Sequence, residues 1–155
     1  MDKTQSAIKL VLFDIGGVLL NENSDSDFPL VIDKLSQFTK EMNKVGIKTG
    51  ILSISEDSIP IENITKSHIN MLIKSTINKE ESLANYIKNK FKYSEIFYIA
   101  DDLLDLPVLQ KVEHSAAPQS ARREVKRVVK YIIRKDDPIE IINEVKKIVL
   151  SNAQP

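Results

Sequence analysis

The stretch "IKLVLFDIGGVLLNE", from Ile8 to Glu22, carries the strongest indication of the fold class. Its first six residues are apolar apart from Lys9, which is typical of a parallel strand covered on both faces. The run ends at Asp14, and two glycines, Gly16 and Gly17, follow almost at once. A buried strand that ends in a carboxylate beside flexible residues indicates a sharp exit from the sheet at a polar position.

Composition limits the classes of protein that the chain can belong to. Its 155 residues suit one domain with a sizeable core, so we expect a single domain over 1–155. The 22 basic residues balance the 22 acidic ones, which argues against nucleic acid or an acidic membrane surface as the main partner. The absence of cysteine excludes disulfides and thiolate metal sites. With no secretory signal and no apolar run of membrane-spanning length, we expect a cytoplasmic protein.

The apolar pattern predicts strands that alternate with helices along the whole chain. The predicted strands cover 7–14, 47–53, 69–75, 95–100, 114–118 and 131–134. The predicted helices cover 31–45, 55–68, 80–91, 106–112, 119–129 and 138–151. In the first helix the apolar face comprises Val31, Leu35, Phe38, Met42 and Val45, with Gly46 as a natural C-cap. Strict alternation predicts an α/β fold with a central parallel sheet and helices on both faces.

Polar side chains follow three of the predicted strands. Asp14 ends the first strand, Ser53 ends the second, and the pair Asp101 and Asp102 ends the fourth, with Asp105 one turn later. Ligands of parallel sheets bind at the carboxyl ends of the strands, so these groups should meet at one edge. Clustered carboxylates favour a hard cation such as Mg²⁺, and a carboxylate there can also attack phosphorus.

Each of these signals has an ordinary structural explanation when it is taken alone. A single Asp after a strand is commonly a turn or capping residue, and "DDLLD" is typical of a segment that caps the following helix. Ser53 could be a turn hydroxyl at the end of its strand. The combination of acids at the same end of consecutive parallel strands is much more specific than any one of them.

Three stretches together carry a family resemblance: "LVLFDIGGVL", "GIKTGILS" and "IFYIADDLLDLPVLQKVEHSAAP". They resemble the haloacid dehalogenase (HAD) superfamily of phosphohydrolases. The C-terminal half is similar to 3-deoxy-manno-octulosonate 8-phosphate phosphatases and to the related domain fused to some acylneuraminate cytidylyltransferases. The resemblance implies a three-layer α/β/α Rossmann-like HAD fold without a large cap domain.

The resemblance also implies catalytic roles. Asp14 matches the nucleophile that forms an aspartyl-phosphate intermediate, and Ser53 matches the hydroxyl that hydrogen-bonds the phosphoryl group. Lys79 matches the lysine that neutralises nucleophile and phosphate, although this alignment needs a one-residue deletion and leaves Lys74 as a rival. The apolar pattern of the helix that follows favours Lys79.

A magnesium site is implied in the same way. The resemblance makes Asp14, Asp101 and the backbone carbonyl of Gly16 the ligands of Mg²⁺, with Asp102 and Asp105 in supporting positions. A small phosphorylated substrate is then the expected partner.

Gly16 departs from the pattern of the family. Its phosphatases usually carry a second Asp there, which protonates the leaving alcohol and then activates water. Losing such a group costs roughly 10²–10⁴ in rate. The following segment, "NENSDSDFPL", is also shorter than the hairpin that helps such relatives to form tetramers. We still expect a homo-oligomer, with a tetramer favoured.

Three functions remain open on the sequence. The first is a small Mg²⁺-dependent phosphatase acting on a phosphorylated metabolite, with a sugar-acid phosphate as one candidate. The second is a catalytically impaired relative with an oligomerisation or regulatory role linked to an acylneuraminate cytidylyltransferase. The third is a binding module that holds phosphate or metal without turnover. The retained acids, serine and lysine favour the first, whereas Gly16 favours the others.

Overall fold

The computed structural model describes residues 7–20, 28–54, 61–75 and 78–153. Within these ranges six strands form one sheet, in which every neighbouring pair is parallel. Their order across the sheet is β3-β2-β1-β4-β5-β6. The strands are β1 (Leu10–Phe13), β2 (Lys48–Ile54), β3 (Met71–Ser75), β4 (Ile96–Ile99), β5 (His114–Pro118) and β6 (Tyr131–Ile133). The predicted α/β class with a central parallel sheet is therefore confirmed.

Helices connect the strands and cover both faces of the sheet. They are α1 (Phe28–Lys44), α2 (Ile61–Lys66), α3 (Lys79–Ile87), α4 (Leu106–Lys111), α5 (Arg123–Lys126) and α6 (Pro138–Ala153). Single 3₁₀ turns lie at Tyr93–Glu95 and Leu103–Asp105. A membrane-spanning helix, judged by length and apolar character, does not occur in the described part of the chain.

The alternation of side chains along β1 divides the core into two layers. Val11 and Phe13 belong to the cluster that includes the buried faces of α1 and α6. Leu10 and Leu12 belong to the opposite cluster, which includes buried residues of α3, α4 and α5. All four side chains of β1 are fully buried, as expected for a central parallel strand. The predicted three-layer arrangement follows directly from this burial on both faces.

Several predicted boundaries differ from the observed ones. The first helix ends at Lys44, so Val45 lies in the following turn and is 59% exposed instead of joining the buried face. Gly46 has a φ of 84°, in agreement with its predicted capping position. The helix predicted over 80–91 ends at Ile87, because Lys88 leaves the helical conformation with a ψ of 120° and Asn89 then adopts a positive φ of 66°. The part of the predicted helix at 55–60 lies outside the described residues.

The helix predicted over 119–129 is wrong in extent, since α5 covers only four residues. The chain before it is held by other contacts: the Ala121 amide donates to the Pro118 carbonyl, and the Arg122 amide donates to the Asp101 carbonyl at 3.2 Å. These bonds use amides in a turn next to the sheet edge. The segment therefore ties the end of β5 to the end of β4 instead of forming a long helix.

Strand order places the candidate site. The chain moves outward from β1 to β3 and then returns, so that β4 pairs with the other side of β1. Phe13 lies opposite Ile99 in register, and the Asp14 amide donates to the Ile99 carbonyl at 3.0 Å. A crevice opens at such a reversal, outside the carboxyl ends of the two strands. The residues that follow β1 and β4 consequently lie side by side at this crevice.

Candidate active site

Asp14 lies at the base of the cleft, immediately after β1. Its side chain is held by two donors to Oδ1, the Ile15 amide at 2.9 Å and the Lys79 Nζ at 2.9 Å. The residue is only 7% exposed. A carboxylate with this little exposure and a fixed orientation is suited to act on a group that enters from the open side of the cleft.

Lys79 is the first residue of α3, and its position depends on how that helix begins. The side chain of Asn78 accepts a hydrogen bond from the Glu81 amide at 3.0 Å, which caps the helix. Lys79 is 3% exposed, and its ammonium contacts Asp14 at 2.9 Å and Asp105 at 2.7 Å. The rival Lys74 is exposed on the edge strand β3. The structure therefore places Lys79, and not Lys74, among the acids of the cleft.

Tyr98 belongs to the same network and was not singled out from the sequence. Its hydroxyl donates to Asp105 Oδ1 at 2.8 Å and accepts from Lys79 Nζ at 3.3 Å. Burial, together with the charges of Asp14 and Asp105, raises the pKa of Tyr98 well above its ordinary value, so the phenol stays protonated. The signal in the sequence was a lone hydroxyl within the apolar strand "IFYIA", because a buried tyrosine usually needs a polar partner.

The two acids predicted to support the site have different positions. Asp105 is 1% exposed; its Oδ1 accepts from Lys79 and Tyr98, and its Oδ2 accepts from the Asp102 amide at 3.3 Å. Asp102 is exposed, and its side chain accepts from the Leu103 amide at 2.6 Å. Asp105 is thus part of the buried ionic network, whereas Asp102 shapes the turn that carries Asp105 inward.

Asp101 lies across the crevice from Asp14, directly against Gly17. A Cβ placed on Gly17 would approach Asp101 Oδ2 to 1.7 Å, and the φ of Gly17 is 78°. Both the backbone conformation and the close approach therefore require glycine at this position. Because Gly17 has no side chain, the Asp101 carboxylate can lie against it and face Asp14.

Burial and the neighbouring charges together shift the pKa values of the ionisable groups in the cleft. Burial raises the pKa of Asp14 from 3.8 to about 7, and Asp105 and Asp101 add to the rise while Lys79 opposes it. Burial and the neighbouring Asp105 and Asp102 raise the pKa of Asp101 to about 6. Burial alone would lower the pKa of Lys79, but the attraction of Asp14 and Asp105 raises it above its ordinary value. One ammonium cannot neutralise three carboxylates, so negative charge remains in excess.

This donor set fits a hard divalent cation. Asp14, Asp101 and Asp105 each offer a carboxylate oxygen, and these oxygens lie within 4.8 Å of one another. Oxygen ligands at the end of parallel strands match the preference of Mg²⁺. Because both oxygens of Asp105 already accept hydrogen bonds, Asp14 and Asp101 are the carboxylates that are better placed to bind a metal.

The cleft has a volume of about 230 Å³ and contains every predicted site residue. Its lining residues are Asp14, Gly16, Ser53, Ile54, Lys79, Asp101, Asp102, Leu104 and Asp105. Ser53, which is buried at the end of β2, donates to the Ile54 carbonyl at 3.2 Å. Ile54 and Leu104 were not predicted, since apolar side chains beside a polar site leave no signal in the sequence pattern. As the described residues enclose it, this volume accommodates a small ligand.

Comparisons of the sequence with family models and with curated proteins give no match. No protein-family model matches the chain. No curated protein matches it either.

Comparisons of structure do find similar proteins. The deoxy-D-mannose-octulosonate 8-phosphate phosphatase of Haemophilus influenzae, solved with cobalt, superposes with a TM-score of 0.78 at 22% identity over 94% of this chain and 89% of that one. The 3-deoxy-D-manno-octulosonate 8-phosphate phosphatase of Moraxella catarrhalis, in complex with magnesium, phosphate and KDO, gives 0.77 at 21% identity over 94% and 87%. A hydrolase from Legionella pneumophila assigned to the HAD superfamily gives 0.78 at 20% identity over 94% and 84%.

These similarities cover nearly the whole of each chain, and they concern the fold. The chain has the fold of HAD hydrolases, with no large cap domain within the described residues. The resemblance proposed from the sequence is therefore confirmed at the level of fold. Activity, metal and substrate are separate questions, which depend on the residues of the cleft.

Replacing Lys79 tests the ionic network. Lys79→Met removes the ammonium and leaves Asp14 and Asp105 buried without their cation, so we expect a loss of about 3–5 kcal/mol in the free energy of unfolding. Lys74→Met, on the exposed face of β3, should change stability by less than about 0.5 kcal/mol. Urea denaturation in EDTA at neutral pH measures both variants. Equal losses would contradict the placement of Lys79.

The raised pKa of Asp14 predicts how stability depends on pH without metal. The folded protein holds the proton of Asp14 up to about pH 7, whereas the ordinary value is 3.8. The contribution of this group to stability is therefore fully present below pH 3.8 and is lost as pH rises through about 7. Asp14→Asn cannot titrate, so the stability of the wild type relative to Asp14→Asn should fall between about pH 4 and pH 8. Urea denaturation across this range measures it, and a constant difference would disprove the raised pKa.

Proposed function

We propose that the chain is a metal-dependent phosphatase of the HAD type acting on a small phosphorylated metabolite, with a sugar-acid phosphate as one candidate. The observation that carries this proposal is the buried Lys79 ammonium between Asp14 and Asp105, beside the Asp101 carboxylate. Phosphoryl transfer demands positioning and charge neutralisation more than covalent assistance. A fixed carboxylate beside a fixed cation at the end of a sheet supplies both.

In this proposal Asp14 is the nucleophile. The carboxylate attacks phosphorus and forms an aspartyl phosphate, which water then hydrolyses to return Asp14 and release phosphate. Lys79 keeps its proton, because its pKa is raised, and neutralises charge on Asp14 and on the transferred group. The hydroxyl of Ser53, on the wall of the cleft, is the group that would hydrogen-bond a phosphoryl oxygen.

Asp14, Asp101 and the backbone carbonyl of Gly16 are the groups that would hold Mg²⁺. When bound, the ion would neutralise the excess carboxylate charge and the charge of the phosphoryl group. Two proteins of similar fold support a divalent cation as the ligand, since one was solved with cobalt and another with magnesium and phosphate. Burial and the neighbouring carboxylates raise the pKa values of Asp14 and Asp101, and a bound cation would stabilise the ionised form of both groups.

The quaternary structure remains a prediction of the resemblance. We propose a homo-oligomer, with a tetramer favoured. Leu20, Leu103 and Leu104 are exposed near the cleft end of the sheet, which is compatible with a covering neighbour. A monomer in light scattering at tens of micromolar would contradict this proposal.

Phosphate release from a panel of phosphate esters tests the proposed activity. We expect turnover that requires Mg²⁺ and disappears in EDTA. Asp14→Asn should abolish it, because an amide is a poor nucleophile and a weaker metal ligand. Asp101→Asn should raise the Mg²⁺ concentration needed, whereas Asp33→Asn, on the exposed face of α1, should behave as wild type.

Two results would contradict the proposed activity. If no ester or other phosphorylated donor were turned over with Mg²⁺ present, the regulatory or binding alternatives would replace it. If Asp14→Asn retained activity, the nucleophile would lie elsewhere.

A further inference from the structure

The inference concerns Gly16 and rests on the proposed function. Gly16 is exposed on the rim of the cleft, two residues after the nucleophile. A Cβ built on Gly16 would meet no atom within 4 Å, and its φ is not in the left-handed region. A side chain is therefore sterically allowed at this position, in contrast to Gly17, where it would collide with Asp101. The rim has room for an acid and carries none at this point.

The remaining acids of the cleft, among the described residues, are committed to other tasks. Asp14 is the proposed nucleophile, and Asp101 faces it as the proposed metal ligand. Asp105 accepts hydrogen bonds on both oxygens and is 1% exposed. Asp102 is exposed, and its side chain caps the following turn, where it accepts from the Leu103 amide at 2.6 Å and from the Asp105 amide.

The other lining residues offer no acid either. Ile54 and Leu104 add apolar surface to the lining. Lys79 is held between two carboxylates, where its proton is retained. None of the described groups is thus arranged to pass a proton to a leaving group or to take one from water.

This arrangement affects both halves of the reaction. In the first half, the bond between phosphorus and the leaving oxygen breaks, and the electron pair stays on that oxygen. An alkoxide needs a proton at this moment, and a positioned acid contributes about 10²–10⁴ in rate. A carboxylate leaving group needs no proton. In the second half, water attacks the phosphorus of the aspartyl phosphate and must lose a proton, for which a positioned base contributes a similar factor.

We propose that this site takes phosphoryl groups from donors whose leaving group departs as a stable anion, acyl phosphates above all, and that the resulting aspartyl phosphate on Asp14 is long-lived. With an acyl phosphate, an Asp14 oxygen bonds to phosphorus, the bond from phosphorus to the acyl oxygen breaks, and the carboxylate leaves with the electron pair. No proton is transferred in that step. Hydrolysis by water then releases phosphate slowly and restores Asp14.

Three phosphoryl donors and two matched variants test the inference. The donors are acetyl phosphate, para-nitrophenyl phosphate and glycerol phosphate, each with Mg²⁺. Acid quenching followed by intact mass spectrometry measures phosphorylated protein, and phosphate release measures turnover. The wild type should accumulate one phosphoryl group from acetyl phosphate, react with para-nitrophenyl phosphate, and turn over glycerol phosphate most slowly. Asp14→Asn should remain unmodified.

Comparing Gly16→Asp with Gly16→Asn separates the effect of proton transfer from the effect of side-chain size. Both side chains have the same size and enter the same open space, but only the carboxyl exchanges a proton at neutral pH. Glycerol phosphate turnover should be at least tenfold faster in Gly16→Asp than in Gly16→Asn, and the phosphorylated fraction should be lower in Gly16→Asp. Thermal melts of both variants establish that they are folded, and Gly46→Asn serves as a glycine replacement remote from the cleft.

The outcomes distinguish this inference from the proposed function. If glycerol phosphate is turned over as fast as acetyl phosphate and no phosphorylated protein accumulates, the inference is wrong but the phosphatase stands. If, in that case, Asp102→Asn slows glycerol phosphate turnover at least tenfold, Asp102 is the acid that protonates the leaving group. If no donor phosphorylates the protein or releases phosphate, the proposed function fails together with the inference.

Discussion

The buried contact of the Lys79 ammonium with Asp14 and Asp105 is the interaction on which the rest of the site depends. Two carboxylates at 2.9 and 2.7 Å from one ammonium are stable in a buried position only if the geometry is maintained. Three elements of the fold maintain this geometry. Strand β1 carries Asp14, the capped start of α3 carries Lys79, and the turn after β4 carries Asp105. Tyr98 adds a donor from within β4.

The two glycines after Asp14 have opposite physical roles. Gly17 is required, because its positive φ turns the chain out of the sheet and its missing side chain leaves room for Asp101. Gly16 is not required by the backbone or by its neighbours. Gly16 therefore leaves its position on the rim without a group that exchanges protons, while Gly17 determines where the Asp101 carboxylate lies. The charged groups of the cleft thus keep their positions although position 16 carries no acid.

Much of the fold could be predicted from the sequence, because it depends on strong local patterns. The run at β1 and the regular alternation of apolar segments predict a parallel sheet, and the strand ends then identify Asp14, Ser53 and Asp101. Contacts between residues that are distant in the sequence could not be predicted from such local patterns. The depth of Asp105 depends on Lys79 and Tyr98, and nothing local distinguishes it from the exposed Asp102. The length of α5 depends on the Arg122 amide bonding to Asp101, a contact between segments that are remote in sequence.

We infer that the carboxylates at the ends of β1 and β4 and the Lys79 ammonium together form one site for a metal ion and a phosphoryl group. A crystal structure of the protein soaked with Mn²⁺ and phosphate, with anomalous data for the metal, would locate both ligands. We expect an anomalous peak between the carboxylates of Asp14 and Asp101, with phosphate next to Ser53 and Lys79. A metal peak away from these carboxylates, or phosphate bound elsewhere on the protein, would contradict it.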